Sequence, residues 1–168
     1  MQESLIVFRK NNFFFGIKPS DFDYQFNLNK VFISKENLTE GVWRFENADS
    51  ELKKGVFVHL GALFNLYPAF IQHNNFVFCK QVEKDFYLGY VFDNFYTQIA
   101  LKKFKNKKKD LQEIHNLPPD IPREAFQYIQ LFKRKKILVV DPIGLYLTYQ
   151  DQLKKYLSIR IKKEIKEN

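Results

Sequence analysis

Three lysine-rich blocks are the residues best placed to do chemistry. The first is Lys102, Lys103, Lys105, Lys107, Lys108 and Lys109. The second is Lys133, Arg134, Lys135 and Lys136. The third runs through Lys154, Lys155, Arg160, Lys162 and Lys163. Cations at this density neutralise phosphates and release counterions, so binding through them weakens as salt rises. Lysine dominates, because the arginines are only Arg9, Arg44, Arg123, Arg134 and Arg160. A lysine is a mobile point charge, whereas the planar fork of arginine suits bidentate base reading. The blocks therefore predict phosphate contacts with little base specificity. Aromatic residues interleave with the expected sheet runs, and Phe78, Tyr87, Tyr90 and Phe92 are candidates for stacking on a sheet surface beside a basic rim.

Carboxylates offer a second chemistry. Glu46, Asp49 and Glu51 precede Lys53. Metal-dependent nucleases use carboxylates near a strand end, with a lysine to stabilise the attacked phosphate. Here the group falls in a turn, where charged side chains are also simply solvated. Asp141 ends an apolar run but precedes Pro142, and Asp-Pro favours turns. His59, His73 and His115 lack metal-ligand spacing, and no local Ser-His-Asp or Cys-His signature is present. The glycines at 16, 41, 55, 61, 89 and 144 are scattered and form no phosphate-binding loop. Cys79 is the single cysteine, which rules out an intramolecular disulfide, and its place in the run Asn75–Cys79 predicts a buried, inert thiol. No catalytic residue, metal site or cofactor is assigned, and a non-catalytic protein is favoured over an enzyme.

The 168 residues suit one domain and are too few for a barrel enzyme. The formal net charge is +8, and 45% of residues are hydrophobic, too apolar for a chain disordered throughout. Nineteen Phe and nine Tyr must mostly enter a core. No signal peptide or membrane-length apolar run is apparent, which predicts a cytoplasmic or other reducing intracellular setting.

The elements that would position these groups begin with a hairpin. Leu5–Phe8 and Phe13–Ile17 are β-prone runs on either side of Arg9–Asn12. Short strands are expected at Val31–Ile33, Gly41–Glu46 and Gly55–Leu60, with a short buried helix within 61–71 that Pro68 interrupts. Phe76–Val82 and Phe86–Phe92 read as the central hairpin of an antiparallel sheet. Asp93 is a plausible N-cap for a helix carrying Phe95, Tyr96, Ile99, Ala100 and Phe104. A second helix is expected over Arg123–Lys133 behind Pro122, and a third over Asp151–Glu167, where Leu153, Leu157, Ile161 and Ile165 recur every four residues. Ile137–Val140 reads as a buried strand, Asp141–Gly144 as a turn and Leu145–Tyr149 as a strand. No internal repeat is visible in the sequence.

The fold expected is α+β: one domain over 1–168, with an internal break at 117–122 where three prolines cluster, and a mainly antiparallel sheet packed against helices largely from the C-terminal half. The function expected is non-catalytic nucleic-acid binding, to DNA or RNA. The alternatives are a protein-protein interaction module of a larger assembly and a small metal-dependent nuclease.

Overall fold

A computed structural model describes residues 3–27, 33–46, 54–70, 75–83, 86–101, 108–109 and 121–155. The strands are β1 (Ser4–Lys10), β2 (Phe13–Ile17), β3 (Tyr24–Asn27), β4 (Ile33–Thr39), β5 (Val42–Glu46), β6 (Lys54–His59), β7 (Phe76–Glu83), β8 (Phe86–Phe92), β9 (Phe95–Ala100), β10 (Lys108–Lys109), β11 (Phe126–Phe132) and β12 (Lys135–Val140). Among the described residues two short helices, α1 (Leu60–Leu63) after β6 and α2 (Pro142–Thr148) after β12, join the strands, and 150–155 is also helical. Sheet I has the order β10-β11-β12-β2-β1-β9, and sheet II the order β3-β7-β8-β6-β5-β4.

Both sheets bury both faces, and the alternation along each strand shows how. Ile6 and Phe8 of β1, Leu138 and Val140 of β12, Val56 and Val58 of β6, and Leu88, Tyr90 and Phe92 of β8 enter one central core shared by the two sheets. The intervening residues fill two smaller cores behind it. Leu5, Val7, Ile137 and Val139 lie behind sheet I, and Phe57, Val77, Cys79 and Val91 behind sheet II. This is why these strands read as continuous apolar runs instead of half-polar ones. In the centre Phe8 stacks on Phe92 at 4.7 Å, and both meet Phe78 edge-on at 6.2 and 5.7 Å.

The two sheets are topological copies. Sheet I runs antiparallel, antiparallel, parallel, antiparallel, antiparallel from β10 to β9, with β12 beside β2 as the parallel pair. Sheet II runs the same way from β4 to β3, with β6 beside β8 parallel. The match extends to single residues. Gly16 lies between Val7 and Val139, and Gly89 lies between Cys79 and Phe57. Each glycine sits where its sheet closes on its own small core: a Cβ on Gly89 would come 2.3 Å from Phe57 Cδ1, and one on Gly16 would come 2.9 Å from Ile137 Cγ2. His59 N donates to Gly41 O at 2.7 Å, and Asp141 N donates to Ala125 O at 2.8 Å. His59 then caps α1 and Asp141 caps α2 through their side chains. The repeat is hidden in the sequence because geometry is preserved while identities differ, His against Asp at the cap being one case.

The α+β expectation is therefore corrected to a mostly β fold. The hairpins β1-β2 and β7-β8 form as expected. The helix expected from Asp93 is β9, and the helix expected over 123–133 is a single 3-10 turn (Arg123–Ala125) followed by β11. Both errors have one cause. The pairing of β11 with β12 shifts between Phe126 and Tyr128, and that of β1 with β9 shifts between Val7 and Phe8. A bulge adds a residue, so side chains three apart fall on the same face and imitate a helical period. Phe126 and Ile129 indeed both enter the central core. Conversely, the turn and strand expected over 141–149 are α2, with Asp141 accepting from the amides of Ile143 and Gly144 and Pro142 in the first turn. Of the helix expected over 151–167, residues 151–155 are helical with Leu153 buried, and the remainder lies outside the described residues, as do 117–120 of the expected break.

The chain passes from sheet II to sheet I at Asp93 and Asn94, and a polar cluster fixes that seam. His59 is buried, and its Nδ1 accepts from Gly61 N at 2.9 Å, which assigns the ring proton to Nε2. Nε2 lies 3.0 Å from Asp93 Oδ1, while Lys10 Nζ lies 3.6 Å from Asp93 Oδ2 and donates to the Pro68 carbonyl. Burial opposes ionisation of Asp93, but the contact with His59 and the charge of Lys10 outweigh it and hold the carboxyl below its ordinary range.

Two outcomes follow from this packing. Gly89→Ala should cost about 1–3 kcal/mol in urea unfolding through overpacking against Phe57, and Gly16→Ala should cost less, since only side-chain tips oppose it. A carboxylate with a lowered folded pKa stabilises above its unfolded value of 3.8, and that contribution fades as pH falls through the folded value. Asp93→Asn should therefore lose about 1–3 kcal/mol at neutral pH and show a flatter acid limb below pH 3.8 than the parent in a pH series of unfolding curves.

Candidate functional site

Only part of the basic blocks lies within the described residues. Lys102, Lys103, Lys105 and Lys107 lie outside the described residues, and Lys108 and Lys109 form β10 at the edge of sheet I. Lys154 and Lys155 are exposed on the helical stretch 150–155, while Arg160, Lys162 and Lys163 lie outside the described residues. Lys133 and Arg134 form the tip of the β11-β12 hairpin, and Lys135 and Lys136 open β12.

This second block joins partners that the sequence did not single out. Lys135 Nζ sits 4.9 Å from the Phe14 ring centre and 4.4 Å from that of Tyr96, and it donates to the Tyr96 hydroxyl at 2.5 Å. Arg9 Cζ lies 5.8 Å from the Phe14 ring centre, and Phe14 and Tyr96 meet edge to face at 5.1 Å. Lys133 rests 5.3 Å from the Phe132 ring. The Lys135 hydrogen bond, reinforced by the charges of Lys135, Lys133 and Arg9, outweighs the small desolvation of Tyr96 and lowers its pKa. Cation-π contact of this kind is favourable because the ring face carries negative charge density.

The aromatic platform expected for stacking does not form. Phe78, Tyr90 and Phe92 are buried in the central core, and Tyr87 is partly buried against the core behind sheet II. Their alternation with polar residues marked strands but not which face meets solvent.

Among the described residues β3 ends sheet II and β9 ends sheet I, and a cleft lies between these two edges. Ile6, Gln25, Phe76, Phe95 and Gln98 line a space of about 320 Å³. Gln25 pairs with Phe78 across β3-β7, and Gln98 pairs with Ile6 across β9-β1. In the internal repeat these glutamines occupy equivalent positions. Phe95 is 56% exposed and Phe76 is 37% exposed, so two apolar walls meet water beside two edge strands. Such a cleft can take an apolar side chain while an edge strand hydrogen-bonds an extended segment. The sequence offered no distinguishing signal, since Phe95 read as a helix residue and Phe76 as one of many strand aromatics.

The other sites weighed in the sequence resolve differently. A polar cleft of about 310 Å³ lies between Ser20, Asp21, Lys80, Gln127 and Asp141. Its polar groups are engaged: Gln127 Nε2 donates to Asp21 Oδ2 at 2.7 Å and to Val140 O at 2.9 Å, and Asp141 Oδ1 accepts from the start of α2. Cys79 is buried as expected, and burial, aided by Asp23, raises its thiol pKa. Among the described residues no group of three His, Cys, Asp or Glu side chains could hold a metal ion. Glu46 ends β5, whereas Asp49, Glu51 and Lys53 of the nuclease alternative lie outside the described residues, as do His73 and His115. No described helix is long and apolar enough to cross a membrane.

No family model matches the sequence, and no curated protein matches it. The fold does match a solved structure: the scaffolding protein TtCheW from Thermoanaerobacter tengcongensis, with a TM-score of 0.61 and 14% identity over 87% of this chain and 93% of that one. The expectation of a DNA- or RNA-binding protein is corrected on these findings. The sheet aromatics that were to stack on bases are interior or partly buried, and the fold is similar to that of TtCheW.

Proposed function

We propose that this chain is a protein-interaction module of a larger assembly, working in a reducing intracellular compartment, and that a partner protein docks an extended segment into the cleft between β3 and β9. The observation that carries the reading is the exposure of Phe95 and Phe76 at the meeting of two open sheet edges. An exposed aromatic wall stabilises a complex by excluding water, and the neighbouring edge strand supplies backbone donors and acceptors in register. The likeness to a scaffolding protein supports the same reading. Phe76 stands on β7, which the central core anchors through Phe78, and Phe95 stands on β9, which the core behind sheet I anchors through Ile99, so the cleft does not have to be assembled on binding.

The tagged chain, purified gently from its own cells, should elute as part of an assembly larger than its 20.2 kDa. Phe95→Asp should return it to free size while leaving its melting temperature close to the parent's, because the ring is mostly outside the core. Loss of an aromatic anchor costs about 2 kcal/mol or more of binding, roughly thirty-fold in Kd. A chain that runs free from its own cells, or an assembly indifferent to both Phe95→Asp and Phe76→Asp, would overturn the reading.

A further inference from the structure

We infer that the end of sheet I bearing Arg9, Phe14, Tyr96, Lys133, Arg134 and Lys135 is a second docking surface, and that its occupant is an acidic protein segment. The inference rests on the reading of the chain as a protein-interaction module and names the chemistry of a partner. Across the sheet, in the order β9, β1, β2, β12, stand Tyr96, Arg9, Phe14 and Lys135, aromatic and cation in turn. The contacts among them are direct, with Lys135 on both rings and Arg9 on Phe14.

Charge complementarity identifies the occupant. Among the described residues none of Arg9, Lys133, Arg134, Lys135 and Lys136 has a carboxylate within salt-bridge distance, whereas Lys10, Lys18 and Lys80 each do. The charged groups that act on the Tyr96 hydroxyl are likewise all cations. The rings hold the cations in place, so less side-chain freedom is lost when an anion arrives.

The turn at the tip of this surface carries a local energetic cost. Lys133 and Arg134 have φ of 45° and 64°, two successive residues in the left-handed region. A two-residue hairpin turn of this hand favours Asn-Gly, and each bulkier residue there costs on the order of 1 kcal/mol. Every other positive φ among the described residues falls on Asn11, Asn65, Asn94 or Gly41. Among the described residues only this tip places cations in that conformation. Lys135 and Arg9 gather around the Phe14 and Tyr96 rings at one sheet end.

A fluorescein-labelled peptide of alternating Glu and Leu, titrated into the full chain at low salt, tests the surface by anisotropy. The peptide should bind, weaken as salt rises, and lose at least ten-fold in affinity to Lys133→Glu/Lys135→Glu. Lys154→Glu/Lys155→Glu, the same charge change on the exposed C-terminal helical stretch, should change affinity less than two-fold. Circular dichroism confirms that both variants are folded. Arg9→Gln, with one cation removed from the same ring pair, provides an independent reading and should lose affinity several-fold. The inference is overturned by no binding at low salt, by equal binding of a Gln-Leu peptide, by equal losses in the two double variants, or by tighter binding of a single-stranded oligonucleotide of matched charge. Phe95→Asp separates this surface from the cleft: it should leave peptide affinity intact even where it dissolves the native assembly.

Discussion

The rest of the described structure depends on one constraint: both sheets bury both of their faces, and among the described residues few are helical. A sheet sandwiched by another on one side normally meets water on the other. Here each sheet has a small core of its own, and both share the central one. Gly16 and Gly89 lie at matching places, each where neighbouring apolar side chains close in. Close packing leaves little tolerance for extra volume at such points. The two sites at the surface inherit their rigidity from this arrangement, because Phe95 and Tyr96 stand on a strand whose next inward residue, Ile99, is locked in the core behind sheet I.

The fold was legible where the period of the sequence was clean. The runs 5–8 with 13–17 and 76–82 with 86–92 gave both antiparallel hairpins, and Ile137–Val140 gave a buried strand. It was illegible where a bulge broke the period. Phe126 and Ile129, three apart, share a face only because the ladder slips between them. The same slip lets Phe95 and Gln98 look into one cleft. A local reading converts such spacing into a helix, and only pairing with a distant strand resolves it. The missed helix is the reverse case: Asp141-Pro142 carried both an N-cap and a first-turn proline, and the turn-forming habit of Asp-Pro masked them.

The candidate sites were legible only in part, and for a related reason. Lys133 to Lys136 were visible as charge, but their meaning comes from Arg9, Phe14 and Tyr96, which three other strands deliver. Charge runs announce themselves along the chain; clefts do not, because they are made from single residues of many elements. The seam at His59, Asp93 and Lys10 illustrates the distinction between the two. It is polar, buried and charged, as a catalytic group would be, yet its contacts are spent on a helix cap and a loop carbonyl and serve to hold one sheet to the other.

The internal repeat has a consequence for how the molecule is made. Strands β3 to β8 complete sheet II from one uninterrupted stretch of chain. Sheet I instead draws β1 and β2 from the start and β9 to β12 from the far end, joining Phe14 to Ile137. During synthesis the first hairpin emerges long before the strands that flank it and must wait with its apolar faces exposed, while sheet II is already able to close. Contacts so distant in sequence are formed late because the loop entropy they cost is large. The first hairpin thus acts as the clasp of the molecule, and the half-built state that precedes its closure is the one most exposed to aggregation and to capture by chaperones.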